Sequence, residues 1–341
     1  MFPDNEKDSY AVELHRKCVV VDAHCDAILG LMSDSPDPVF RSSTKRTLGE
    51  QSNIGHIDIP RMLKGGIDVE VFAIWIEPIF ASNLSSKRAL QCLDVFFSEL
   101  EKNHDKIALA RNYNDVITNH KEGKISALLS LEGGEAIDGD IRILRMMYRI
   151  GVRIVTLVWN NRNKIADGIN EARSKGGLTN FGVQVVEEMN KLGMIIDVSH
   201  LSDQGFWDVL EVSKHPVIAS HSNCRSLCDV PRNLSDDMIK ALAEKGGVIG
   251  VNFVPCFLSK DNNATVETVV DHIDHIVETV GVNHVGLGSD FEGVEKMAKG
   301  LEDASKLPNL TKVLVSRGYS DQEIEKILGG NFLRIFREIL K

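Results

Sequence analysis

The chain has 341 residues, 43% of them hydrophobic and 26% charged, with a net charge of −10 at pH 7. This is ordinary globular usage, and with no basic cluster it argues against a nucleic-acid partner, because neutralising phosphates needs a positive face. The N-terminal stretch MFPDNEKDSYAVELHRK lacks the apolar centre of a signal peptide, and the longest apolar-rich stretch, residues 246–258, is too short to span a bilayer. No membrane partner and a cytoplasmic location are therefore expected. In that setting the N-x-S/T sequons at Asn83, Asn233, Asn263 and Asn309 stay idle, and the six scattered Cys read as reduced thiols.

In chain order the apolar runs are CVVVDAHCD (18–26), GIDVEVFAIWI (66–76), ISALLSLE (125–132), IVTLVW (154–159), MIIDVSH (194–200), PVIASH (216–221), GVIGVNF (247–253) and HVGLGSD (284–290). Continuous β-branched runs of this kind read as parallel strands buried on both faces. Helical patterns separate them at 87–103, 140–150, 180–192, 203–213, 235–244 and 266–280. Ser235 ahead of an acidic first turn, with Gly246 as the stop, shows the expected end signals. Three more helices follow the eighth run, at 307–317, 320–328 and 331–340, with Gly329-Gly330-Asn331 read as a helix stop and a new N-cap.

Eight such units predict an α/β fold, a (β/α)8 TIM-type barrel with additional C-terminal helices, forming one domain over residues 1–341. The rival is a doubly wound open sheet, which would gather its ligands at one switch point rather than at five strand ends. Residues 29–56, with Pro36 and Pro38, read as a lid or substrate loop.

Five of the eight runs end in His, Asp or Glu. The C-terminal edge of such strands is where barrels place their chemistry, so these ends suggest a metal centre with two ions. His24 and Asp26 lie two residues apart, which on an alternating strand puts both on one face and turns Cys25 to the helical shell. Asp22 shares the His24 face in the same alternation and reads as a support for the ligands. Glu132, followed by Gly133-Gly134, has two oxygens with which to bridge two ions. His200 and His221 end neighbouring runs, and Asp290 closes the ring. His272 and His275 mimic a metal pair but read as lying on a solvated helix face. Cys224-x-x-x-Cys228 lacks the second pair of a zinc site. No nucleophile elbow, Walker loop or H-E-x-x-H helix occurs.

These residues in this order resemble the membrane (renal) dipeptidase family of zinc peptidases, in its bacterial cytoplasmic branch, over nearly the whole chain. The carrying motifs are DAHCD at 22–26, SLEGGEAI at 130–137, IDVSHLS at 196–202, ASHSNCRSLCDVPRNLSDDMI at 219–239 and GSDFEG at 288–293. The resemblance implies a barrel with two zinc ions that cleaves dipeptides by a metal-bridging hydroxide and tolerates a D-residue at the C-terminal position. Carried over, His24 and Asp26 bind one zinc, His200 and His221 the other, and Glu132 both. Asp290 would hold the water and shuttle its proton, and Arg232 would pair with the substrate carboxylate. Trp159 stands where mammalian members place a substrate-contacting His, so Trp159 and Asn160 are expected at the substrate. A dipeptide is then the partner, with a homodimer left open. Two alternatives remain at this stage: a barrel hydrolase acting on non-peptide substrates, and a non-catalytic metal-binding homologue. For Arg232 the plain alternative is a surface ion pair with Asp229, Asp236 or Asp237.

Overall fold

The structure is a computed structural model and describes residues 4–32, 34–36, 46–81 and 84–341. Its strands, in chain order, are β1 (Val20–Cys25), β2 (Ile67–Trp75), β3 (Ile107–Leu109), β4 (Ile125–Glu132), β5 (Val152–Thr156), β6 (Ile195–Asp197), β7 (Ile218–Ala219), β8 (Val248–Val251) and β9 (Val285–Leu287). They pair in the order β2-β1-β9-β8-β7-β6-β5-β4, and β2 also pairs with β4, which closes eight parallel strands into a barrel. The eight apolar runs all became barrel strands. The ninth, β3, lies on β4 from Ile107↔Ile125 to Leu109↔Ala127, below the stretch where β5 takes over. At three residues it was too short to show a pattern.

Helices flank the strands, and those at Asn180–Leu192 and Val266–Val280 begin and end where the pattern places them. Among the described residues no helix is long and apolar enough to cross a membrane. The expected stop at Gly329-Gly330 is not there. The chain stays helical through a π-turn, Lys326–Gly330, and runs directly into Asn331–Ile339. Gly329 serves a close approach instead: a Cβ there would sit 2.2 Å from the Val19 carbonyl oxygen. Asn331 does not cap the helix either, since its side chain donates to the carbonyls of Val282 and Val285, each at 2.7 Å.

That last helix completes the core. Val21, Val69, Val71, Leu128, Ile154, Ile195, Ile218 and Val248 form one buried cluster with Phe332, Ile335, Phe336 and Ile339. The strand residues come from the N-terminal halves of the barrel strands, so the helix plugs the end remote from the polar strand ends. A second and larger cluster fills the space between barrel and helices.

β1 departs from simple alternation. Asp22 lies opposite Glu70 of β2, and Cys25 opposite Phe72, so three steps on one strand meet two on the other. This bulge corrects one expectation: Asp22 shares the face of Glu70, not that of His24. Cys25 faces the shell as expected and is fully buried. Asp22 Oδ1 accepts the Ser289 N–H at 2.7 Å, tying β1 to the segment that follows β9. Glu70 has no hydrogen bond to either carboxylate oxygen among the described residues. Burial, and then the neighbouring Asp22 carboxylate, push the Glu70 carboxyl well above its ordinary range, while burial raises Asp22 to about 6.

Because folding raises the Glu70 pKa, its contribution to stability is complete below its unfolded value and is lost as pH climbs towards the folded one. Glu70→Gln removes that loss. The melting temperature of the variant, relative to the unmutated protein, should rise by about 2–4 °C between about pH 5 and pH 8. A constant difference across that range in thermal scans would show that Glu70 ionises in the folded protein as it does in the unfolded chain, and so that folding does not raise its pKa.

Candidate metal centre

The C-terminal ends of the strands carry the six predicted ligand-type residues to one place. His24 is in β1 and Asp26 follows it, while Glu132 is the last residue of β4. His200, His221 and Asp290 lie just past β6, β7 and β9. Two of them hold backbone conformations rare for residues with a side chain: φ is 68° at His200 and 64° at Asp290. Non-glycine residues in this region store strain that the surroundings must offset. Here the Ile169 N–H donates to the His200 carbonyl at 3.0 Å, and the Asp290 N–H to the His24 carbonyl at 3.1 Å.

The distances are short. His24 Nε2 lies 3.6 Å from both Asp26 Oδ2 and Glu132 Oε2. Glu132 Oε1 lies 3.0 Å from His200 Nε2 and 3.6 Å from His221 Nε2. The His24 and His221 rings stack at 3.7 Å. All six residues are buried, none more than 8% exposed.

The outer nitrogens of two imidazoles are already committed. His200 Nδ1 donates to Asn160 Oδ1 at 2.7 Å. His221 Nδ1 donates to Ser220 Oγ at 2.7 Å, and that hydroxyl donates in turn to Asp197 Oδ2 at 2.6 Å. Asp197 also accepts from Thr156 Oγ1 and from the main-chain N–H groups of Ser199 and Ser220. Burial, reinforced by the Arg232 and His24 charges, presses the pKa of His200 and His221 well below the usual imidazole range. Both rings are then neutral with lone pairs on Nε2, yet these two atoms are 3.0 Å apart and face the Glu132 carboxylate. Lone pairs so placed repel unless a cation stands among them.

The other half of the cluster shows the same need. His24 Nε2 and Asp26 Oδ1 are buried with no hydrogen-bond partner among the described residues. Burial presses the His24 imidazole down, but Glu132 and Asp26 outweigh it and raise its pKa well above the ordinary value. Burial lifts Asp26 and Asp290 each to about 7, with neighbouring carboxylates adding to the rise. His24, Glu132 and His221 form one group able to hold an ion, and His24, Asp26 and Asp290 a second. Nitrogen and carboxylate donors in this mixture suit a first-row divalent metal. The orphaned atoms fit one.

Arg232 is buried beside this cluster. It donates to Ser222 Oγ at 2.8 Å and to the His221 carbonyl at 2.6 Å, and its Nε has no partner. Among the described residues no carboxylate lies within ion-pair distance of it, so the surface-pair alternative does not hold. Asp236 pairs with His275 instead.

The Trp159 ring lies 6.3 Å from that of His200, tilted by 38°, and meets Trp75 edge-on at 5.0 Å. With Trp75, Ile76 and Pro78 it lines a cavity of about 330 Å³ beside the cluster. Asn160 sits behind His200, spent on the hydrogen bond to Nδ1, and does not line that cavity. Sequence reasoning missed this role, along with Ser220, Asp197 and Asn252, whose Nδ2 donates to Asp290 Oδ2 at 2.7 Å. The one signal was an acid, Asp197, inside an otherwise apolar run.

The remaining candidates fall elsewhere. His272 is fully buried rather than solvated, bonded to the Cys224 N–H and the Leu258 carbonyl. Cys224 and Cys228 join no metal-type group among the described residues. Part of the expected lid, residues 33 and 37–45, lies outside the described residues. Its described end is clamped: Glu292 accepts from Arg46 at 2.7 Å and from the main-chain N–H groups of His56 and Ile57 at 2.7 and 3.0 Å.

The sequence model of the family described as membrane dipeptidase (peptidase family M19) matches residues 9–341. The chain is 36% identical over 295 residues to Dipeptidase tcpJ of Claviceps purpurea, covering 84% of this chain and 69% of that protein. It is 33% identical over 345 aligned residues to Dipeptidase verJ of Clonostachys rogersoniana, covering 97% and 87%. A crystal structure of a metallopeptidase from Rhodobacter sphaeroides, liganded with a phosphinate mimic of the dipeptide L-Ala-D-Ala, superposes with a TM-score of 0.84. It shares 26% identity, over 94% of this chain and 99% of that one.

If Asn160 orients His200 for an ion, Asn160→Ala should weaken divalent-metal binding by about 10–100-fold while leaving the fold cooperative. Competition with a chelator of known affinity measures this. Unchanged affinity would mean that packing alone orients the ring.

Proposed function

The chain belongs to the membrane dipeptidase family (peptidase family M19) and is a metal-dependent dipeptidase, and from that premise we propose that it works with two zinc ions and accepts a D-residue at the C-terminal position of its substrate. The observation that carries this reading furthest is Arg232, a buried guanidinium with no carboxylate partner among the described residues, beside a cluster in which His24 Nε2 and Asp26 Oδ1 lack partners. A free C-terminal carboxylate matches its bidentate fork. Tolerance of a D-residue draws on the L-Ala-D-Ala mimic bound by the Rhodobacter sphaeroides relative.

His24 and Asp26 would hold one zinc, His200 and His221 the other, and Glu132 both. When bound, the ions supply Lewis acidity that polarises the peptide carbonyl and brings a water's pKa near neutrality, so that hydroxide is the nucleophile. Asp290, held by Asn252 Nδ2 at 2.7 Å on the rim of the ligand cluster, is placed for proton transfer in both directions. It takes the proton from the attacking water and returns it to the leaving amine. Asn160 and Ser220 keep the Nε2 atoms of His200 and His221 facing the site. The whole chain, in this reading, acts as one catalytic barrel domain.

Three measurements test the reading. Protein purified in zinc should carry close to two equivalents by elemental analysis, with His200→Ala losing about one; equal content in both would remove the binuclear claim. Asp290→Asn should keep its metal and lower kcat by roughly 10²–10⁴, and near-normal kcat would make Asp290 structural. Amidating the substrate's C-terminus should cost about 2–5 kcal/mol in kcat/KM, and Arg232→Lys should lose much of that discrimination. Equal cleavage of free-acid and amidated dipeptides by the unmutated enzyme would overturn the role of Arg232.

A further inference from the structure

The cavity beside the metal centre holds a carboxylate that nothing so far explains. Its walls are Trp75, Ile76, Pro78 and Trp159, with Glu135 and Asn163 among the lining groups. Other charges at its rim are satisfied: Lys164 pairs with Asp138 at 2.7 Å, and Arg162 binds Asp167 through both Nε and a terminal nitrogen. Glu135 differs. Among the described residues no cation lies within ion-pair distance of it, and its one side-chain partner is Asn163 Nδ2 at a long 3.3 Å. Its carboxylate folds back over Gly133, where φ is +87° and an added Cβ would lie 2.1 Å from Oε2. Any side chain at 133 would displace it. Burial raises the Glu135 carboxyl above its ordinary value, and Glu132 adds to this.

The chemistry of this arrangement is specific. A carboxylate with spare acceptor capacity, in a cavity walled by two indoles, complements a cation through both its charge and the faces of the rings. Position selects the cation's source. In the eight-stranded ring β2 stands opposite β7. Arg232 belongs to the segment after β7, whereas Trp75 ends β2 and Glu135 follows β4. A dipeptide whose carboxylate meets Arg232 and whose peptide bond lies over the metal ligands must point its N-terminal residue towards the cavity.

We propose that Glu135, with Trp75 and Trp159, receives a cationic group of the substrate's N-terminal residue, so that the enzyme reads opposite charges at the two ends of its substrate. This rests on the dipeptidase reading and extends it to a substrate class: dipeptides presenting an ammonium or guanidinium at the N-terminal residue. Two sources share that chemistry, the α-ammonium itself and a basic side chain.

The experiment compares lysyl-alanine, its neutral isostere norleucyl-alanine, alanyl-alanine and the des-amino counterparts of all three, on zinc-loaded unmutated enzyme and on Glu135→Gln. Lysyl-alanine should exceed norleucyl-alanine in kcat/KM by about tenfold, and Glu135→Gln should collapse that ratio towards one with metal content unchanged. Glu135→Asp, which keeps the charge, should retain part of it. If the three free-amine dipeptides instead fall together in Glu135→Gln while the des-amino compounds do not, the α-ammonium is the partner. The proposal is overturned if neither the side-chain ratio nor the free-amine preference responds to the substitution. Failure of the dipeptidase reading looks different: the unmutated enzyme would turn over none of these compounds. Calorimetric binding of lysyl-alanine, weakened in Glu135→Gln or not, would then still decide the role of Glu135.

Discussion

Three carboxylates and three imidazoles share the polar mouth of the barrel, withdrawn from water and within a few ångströms of one another. A low-dielectric interior makes such crowding costly unless opposite charge is present. Much of the surrounding architecture serves to hold these groups against that cost. The bulge in β1 brings His24 and Asp26 inward. The left-handed backbone at His200 and Asp290 aims two more groups at the centre. Asn160 and the Ser220–Asp197 pair turn the remaining nitrogens the right way. A divalent ion is the natural counterweight, and metal binding would then contribute to stability as well as to catalysis.

How much of this the sequence revealed follows from what produces each feature. A strand buried on both faces leaves a continuous apolar run, so all eight barrel strands could be read, and so could the ligand types at their ends. β3 has three residues and no such run. The β1 bulge is invisible because strict alternation was assumed, and that assumption put Asp22 on the wrong face. Gly329-Gly330 looked like a stop because glycine often ends helices. Here it lets a helix pass against the Val19 carbonyl, a contact distant in sequence.

The same distinction runs through the site. That His24, Asp26, Glu132, His200, His221 and Asp290 would meet at one end of the barrel follows from residue type and strand position, and is legible locally. The direction in which Asn160 or Glu135 points depends on loops whose course is set by packing. Trp159 and Asn160 are neighbours in sequence, yet one lines a cavity and the other backs a ligand. Arg232 could have been a solvated ion pair by composition alone. Its burial, and the engagement of Asp236 by His275, come from tertiary contacts.

The plug at the remote end bears on how the chain reaches this state during synthesis. Closing the ring requires β1 to pair with β9, across more than 260 residues, and the lower core layer is finished only by residues 332–339. A nascent chain that has emerged only through β9 therefore presents an open apolar mouth where Phe332, Ile335, Phe336 and Ile339 will later pack. Contacts this distant in sequence form slowly, and incomplete barrels expose surface that invites aggregation. The ligand ring draws on β1 and on the segment after β9 alike, so it cannot assemble on a partial chain. Vectorial synthesis delivers its two halves at opposite ends of the process, so the cluster of His and carboxylate groups is completed only after β9 has joined the barrel.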